Sequence, residues 1–292
     1  MTTIRIATRG SRQATTQSED VASRLRAAGF DTELVLVETL GDRTQADNVP
    51  LHSIGGQGVF VKEVQRAVLD GRADVAVHSA KDLPASDADG LAIGAFLVRR
   101  SASDVLIGAT LDGLAPGAPV ATGSVRRRAQ LRLVRPDLEF RELRGNITTR
   151  LERVPDGGAI VMALAALEVL GMTDRVDDVL DPTRFVPAVG QGCVAVECRL
   201  GDREVGDAVA EIDDAPTRRA VTIERAYLDE LGAGCTLPVG AHVDGYLLHV
   251  FLADEAGLTA VTRAVELAGE GSHDLETARQ AAREAREIIA GR

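Results

Sequence analysis

The sequence predicts an α/β protein of two doubly wound domains, followed by a smaller α+β domain. Three observations carry that reading. Short apolar strands alternate with amphipathic helices from Ile4 to Leu97, the pattern of βαβ units in a sheet with helices on both faces. The same rhythm restarts after a crossing segment, Val98-Arg99-Arg100-Ser101-Ala102. From Thr217 onward the pattern changes to alternating strands between two helices.

Taken in order, Ile4–Ala7 is a short apolar strand, and Ser11 to Ala28 reads as a helix with Ser11 as N-cap and Gly29 as stop. Thr32–Glu38 alternates as a strand does. Gly55-Gly56-Gln57-Gly58 is a glycine-rich loop that leads through Phe60 into a helix from about Val61 to Leu69. It lacks the G-K-[ST] ending of a phosphate loop and reads as a lid. Ala73–Val77 and Leu91–Leu97 are apolar strands. The second unit repeats the scheme with strands at Asp104–Ile107, Val120–Thr122, Glu139–Leu143 and Ala159–Met162. Its helices run from Ser124 to Val134, from about Asn146, and from Ala163 to Leu170, where Gly171 stops the last one. After Pro182 and Pro187, the strand Cys193–Arg199 is expected to return the chain to the first sheet. The expected domains are therefore 1–98 with 189–212, 102–187, and 215–292. The last comprises the helix Thr217–Leu231, strands at Val239–Val243, Tyr246–Ala253 and Leu258–Leu267 with a turn at Asp254–Gly257, and the helix Leu275–Ala290.

Composition bounds the function. At 292 residues the chain can bury a sizeable core, and with 3% aromatics and no Trp that core must be aliphatic. A net charge of −11 argues against general nucleic-acid binding. No apolar run is long enough to span a membrane, and no leader pattern opens the sequence, so a cytoplasmic protein is expected. Three cysteines and five histidines without ligand spacing predict neither a disulfide framework nor a metal site.

Four features can carry chemistry. Cys235, in Gly232-Ala233-Gly234-Cys235-Thr236-Leu237-Pro238, sits in a loop whose glycines let a bulky group approach. Cys193 and Cys198 lie on an apolar strand and read as core. Asp82 follows the strand Ala73–Val77, at the end where ligands gather in open α/β sheets, and can move a proton or face a developing cation. It also suits a turn cap. His78 reads as a hydrogen-bonded core histidine. Eight arginines fall between Arg126 and Arg150 in a chain that is acidic overall. Guanidinium grips carboxylate in bidentate fashion. Arg126, Arg127, Arg144 and Arg150 stand near strand-to-helix turns, whereas Arg128, Arg132 and Arg135 suit a solvated helix face. Thr122-Gly123-Ser124 and Arg144-Gly145-Asn146 offer free backbone N–H groups for an anion. Arg9 and Ser11, after the first strand, offer another such place.

Together these motifs resemble the porphobilinogen deaminase, or hydroxymethylbilane synthase, family. The matching blocks are Arg5–Arg9, Gly41-Asp42, Gly55–Glu63, Ala73–Pro84, Gly123–Arg127, Leu143–Ile147, Pro187–Gly192 and Gly234–Gly240, in the family's order over essentially the whole chain. The resemblance implies domains 1 and 2 like type II periplasmic binding proteins, and a dipyrromethane cofactor joined to Cys235 by a thioether. It makes Asp82 the catalytic carboxylate. Cofactor contacts fall on Ser79, Lys81, Asp82, Thr122, Ser124, Arg126, Arg127, Arg144 and Gly145. Substrate contacts fall on Arg9, Ser11, Arg144, Arg150 and Gln191, with Gly55, Gly56, Gln57, Gly58 and Phe60 as the lid. It further implies a monomer that condenses four porphobilinogens, without nucleic-acid or membrane partners. Val169 departs from the family, whose members often carry a basic residue there. Ala166 stands for a usual Gly. The competing expectation is a non-catalytic carboxylate-binding protein of the same two-domain fold.

Overall fold

A computed structural model describes residues 3–39, 61–232 and 237–291. Contacts divide the chain into two compact units, residues 1–100 with 193–219 and residues 101–192 with 220–292.

The first unit is built on β1 (Thr3–Arg9), β2 (Asp31–Val37), β3 (Val75–Ser79), β4 (Leu91–Phe96) and a strand from much later in the chain, β10 (Val194–Arg199). Their order is β2-β1-β3-β10-β4. β1 runs parallel to β2 and β3, while β10 is antiparallel to β3 and β4. Helices cover both faces. On one, Val21, Ala22 and Leu25 of α1 (Arg12–Ala27) and Val205, Ala208 and Val209 of α6 (Arg203–Ala210) pack on Ile4, Ile6, Val75 and Val77. On the other, Val64, Ala67 and Val68 of α2 (Lys62–Leu69) pack on Ala7 and Ala76. Each buried Val, Leu or Ile contributes about 1.5–3 kcal/mol.

The second unit holds β5 (Asp104–Ile107), β6 (Pro119–Ala121), β7 (Glu139–Arg141), β8 (Ala159–Ala163) and β9 (Asp178–Val179) in the order β7-β6-β8-β5-β9. β6 is parallel to β7 and β8, and β5 is antiparallel to β8 and β9. α4 (Ile147–Leu151) and α5 (Leu164–Leu170) bury Ile147, Leu151 and Leu167 against Val105, Ile107, Ile160 and Met162. α3 (Val125–Val134) buries Leu131 on the opposite face, against Leu106, Val120 and Val161. The same unit contains most of α7 (Ala215–Leu231) and the antiparallel sheet β11 (Val239–Asp244), β12 (Leu247–Ala253) and β13 (Ala260–Glu266). α8 (Gly271–Ile289) lies on β12 and β13 through the buried alanines Ala278, Ala281, Ala282 and Ala285. Among the described residues, no helix is long and apolar enough to cross a membrane.

Three features differ from the sequence reading. α6 was not anticipated, because Gly206 and its brevity mask an amphipathic turn capped by Asp202. β9 is only two residues long and has no periodicity to detect. α8 starts at Gly271, ahead of the apolar stripe that marks Leu275.

Candidate active site

Asp82 ends a 3-10 turn, Ala80–Asp82, at the carboxyl end of β3. Ala80 N–H donates to Cys193 O at 2.9 Å and Leu83 N–H to Ala80 O at 3.2 Å, so the turn is tied to the start of β10. Asp82 itself is exposed. It shares a pocket of about 400 Å³, part of it open to solvent, with Arg9, Ser11, Gln13, Gln17, His78 and Ser79. Parallel pairing of β1 and β3 explains the gathering, since both strands end on the same edge. Ser11 caps α1 by accepting from Ala14 N–H at 3.3 Å. Ser79 Oγ donates to Gln17 Oε1 at 3.2 Å. Gln13 and Gln17 are the pocket residues that sequence reasoning missed. Their signal is weak: neutral amides one turn apart, on the helix that Ser11 caps.

Behind the pocket lies a buried polar cluster. Glu197 of β10 accepts two contacts from Gln65 Nε2, at 3.1 and 2.9 Å. His78 Nε2 lies 3.0 Å from Glu197 Oε2, but off the line of a hydrogen bond. His78 is therefore a buried residue that also reaches the pocket wall. Cys193 and Cys198 are buried, and burial pushes the Cys198 thiol up.

In the second unit, the two expected anion loops come side by side. β6 and β7 are parallel neighbours, and Thr122 N–H donates to Arg141 O at 2.9 Å. Thr122 Oγ1 accepts from Ser124 N–H, and Ser124 Oγ from Arg127 N–H, which caps α3. Both hydroxyls accept here, and neither donates to an acceptor among the described residues. A Cβ on Gly123 would stand 3.0 Å from Leu143 O, so a larger residue there would need the neighbouring loop to give by a few tenths of an ångström. Gly145 has φ +109°, and a Cβ there would fall 2.8 Å from Thr149. Arg150 Nε donates to Gly145 O at 2.8 Å, which folds the loop onto α4. Arg144, Gly145 and Arg150 are all partly exposed.

Arg126, Arg127 and Gln191 are buried around Asp104. Asp104 Oδ2 accepts from Arg126 Nη2 at 2.7 Å, and Oδ1 from Arg127 Nη2 at 2.8 Å and Gln191 Nε2 at 2.9 Å. Burial alone would raise the Asp104 carboxyl, but the charges of Arg126 and Arg127 outweigh it and hold it far below the usual range. Burial lowers Arg126, with Asp104 opposing. The three helix-face arginines are also occupied: Arg128 with Glu142, Arg132 over the Phe140 ring, and Arg135 with Asp137 and the carbonyls of Leu111 and Leu114. Val169 packs into the apolar core, and Glu168 accepts from Ser101 N–H. Cys235, Gly55, Gly56, Gln57, Gly58 and Phe60 lie outside the described residues.

A family model described as "Porphobilinogen deaminase, dipyromethane cofactor binding domain" matches residues 4–207. The chain belongs to the porphobilinogen deaminase family. It is 45% identical over 288 residues to a porphobilinogen deaminase of Acidothermus cellulolyticus, covering 94% of this chain and 86% of that one. The enzyme of that name from Mycobacterium marinum is 48% identical over 243 residues, 82% of this chain and 76% of that one. The one from Nitratidesulfovibrio vulgaris is 41% identical over 290 residues, 94% and 91% of the two chains. Among solved structures, the methionine binding protein MetQ is similar at 14% identity and a TM-score of 0.45, over 77% of this chain and 93% of that one.

Proposed function

We propose that the protein is a hydroxymethylbilane synthase. It joins four porphobilinogens head to tail on a dipyrromethane cofactor held by Cys235, expels one ammonia at each step, and releases the linear tetrapyrrole by hydrolysis. The observation that carries this reading is the β3-end pocket, in which Asp82 shares a wall with Arg9 and Ser11, in a chain of this family.

The chain's own residues suit a carboxylate-rich ligand. Arg9 and Ser11 take the acetate and propionate of the incoming porphobilinogen, with Arg144 and Arg150 as further substrate contacts. Arg126 and Arg127 keep N–H groups that have no acceptor among the described residues, which fits a cofactor that bears carboxylates. Ser79, Lys81, Thr122, Ser124, Arg144 and Gly145 complete the hold on it. When bound, the cofactor supplies the nucleophilic pyrrole carbon at which chain growth begins.

Asp82 does the electrostatic and proton work. The aminomethyl C–N bond of the substrate breaks and nitrogen leaves as ammonia, so the substrate pyrrole becomes electron-poor. A carboxylate at its N–H stabilises that charge where it develops. When the new C–C bond forms, the pyrrole carbon loses a proton, which Asp82 accepts. Gln191 acts from behind, through Asp104. The domain 215–292 carries Cys235, and the enzyme works as a cytoplasmic monomer. Incubating the purified chain with porphobilinogen tests the proposal. One ammonia per porphobilinogen consumed, with a product that cyclises to a porphyrin in acid, is expected. Binding of porphobilinogen without consumption would favour the carboxylate-binding alternative.

A further inference from the structure

We infer that Asp104 is a positioning residue for catalysis: it holds Arg126 and Arg127 together as one carboxylate clamp. The inference rests on the proposed function, because it assigns that clamp to the ligand's carboxylates.

Two guanidinium groups cannot be deprotonated at working pH and repel each other. Here they stand on adjacent residues at the start of α3, with 4% and 7% of their surface exposed. Asp104, fully buried on β5, touches both. The three groups sum to one surplus positive charge inside the fold. Backbone carbonyls share it: Arg126 Nη1 donates to Val186 O at 2.8 Å and Arg127 Nη1 to Val161 O at 3.1 Å. A buried cluster with a net positive charge and unspent N–H groups is costly unless an anion completes it. The clamp is thus built to be finished by a carboxylate, with Asp104 setting the angle between its two jaws. Arg127 is fixed through both Nε and Nη2, whereas Arg126 keeps its Nε–H unspent. Gln191 braces the same Asp104 oxygen and also donates to Ala102 O at 2.7 Å, so the carboxylate itself has little freedom to turn.

A merely structural carboxylate and a positioning one differ in what they disturb. Asp104→Asn keeps the shape but turns an amide N–H₂ toward guanidinium donors. The clamp holds the bound, growing chain, while Arg9 and Ser11 receive the incoming substrate. In full-length enzyme, kcat should fall about ten- to hundredfold, the worth of a charged hydrogen bond or two. KM for porphobilinogen should stay within about twofold. Intact-mass spectra should show less protein carrying the two-ring cofactor, and elongation stalled at short protein-bound chains. A lowered Tm with parental kcat and a parental mass distribution would overturn the inference. If the Asn variant does not fold, Asp104→Glu, which keeps the counter-charge and moves it by one methylene, decides. A folded Glu variant that stalls at short protein-bound chains supports the clamp; one that turns over at the parental rate refutes it. Parental enzyme that consumes no porphobilinogen would sink the proposed function instead, whatever the variants do.

Discussion

The two five-stranded sheets are the same scaffold put to two uses. In each, the first strand of a parallel trio lies between the second and third, and an antiparallel strand separates the third from the edge. β1 corresponds to β6, β2 to β7, β3 to β8, β10 to β5 and β4 to β9. Each first strand leads to Gly-Ser, and the serine caps the next helix: Ser11 for α1 and Ser124 for α3. Each antiparallel strand brings one fully buried carboxylate, Glu197 and Asp104. The difference lies in the partners. Glu197 is met by a neutral amide and an imidazole, Asp104 by two guanidiniums. The third strands also end differently, in a 3-10 turn that exposes Asp82 and in α5, which follows β8 directly. One copy of the topology therefore presents an exposed carboxylate, and the other gathers buried positive charge around one carboxylate.

The largest expected effect falls on the residue present in only one copy. Asp82→Asn should lower the rate by about 10²–10⁴, as for loss of a general acid–base group, with an unchanged melting temperature. A loss under tenfold would remove Asp82 from the chemistry. Next comes the contrast between the buried carboxylates. Asp104→Asn leaves two cations without their counter-ion and should cost about 3–5 kcal/mol of stability. Glu197→Gln, whose partners are an amide and an imidazole, should cost nearer about 1 kcal/mol. Equal losses in urea unfolding would erase the distinction drawn between the sheets.

Acidity sharpens the same contrast. The Asp104 carboxyl is depressed in the folded state, so its contribution is complete above its ordinary unfolded value of about 4 and is lost as pH falls toward the depressed value. The stability gap between the parent and Asp104→Asn should be widest near neutrality and narrow below about pH 4. A gap that widens in acid contradicts the assignment. The smallest effect tests the repeated caps: Ser11→Ala and Ser124→Ala should each cost about 1 kcal/mol. A loss at one position alone would show that the shared Gly-Ser is not used in the same way.

Local grammar made much of this fold legible. Ser11, Ser124 and Asn146 announce helix starts, Gly171 announces an end, and strand periodicity marks both parallel trios. The site was legible where chemistry follows a strand end, as at Arg9, Ser11, Ser79 and Asp82. What spacing cannot reveal is a partner delivered by topology. Asp104 meets Arg126 only because β5 runs antiparallel beside β8, and Glu197 meets Gln65 across 132 residues of chain. Arg126 and Arg127 could be picked out as strand-to-helix arginines, but not as half of a buried ion cluster. The amides of Gln13 and Gln17 carry no charge and so left no mark.

The central claim is a sulfur that permanently bears an organic primer, and one measurement addresses it directly: the intact mass of the purified full chain beside that of Cys235→Ser. The account predicts that the parent exceeds its sequence mass by two pyrrole rings, that the variant has its bare mass, and that only the parent consumes porphobilinogen. Two proteins of bare mass that both turn over porphobilinogen would contradict it.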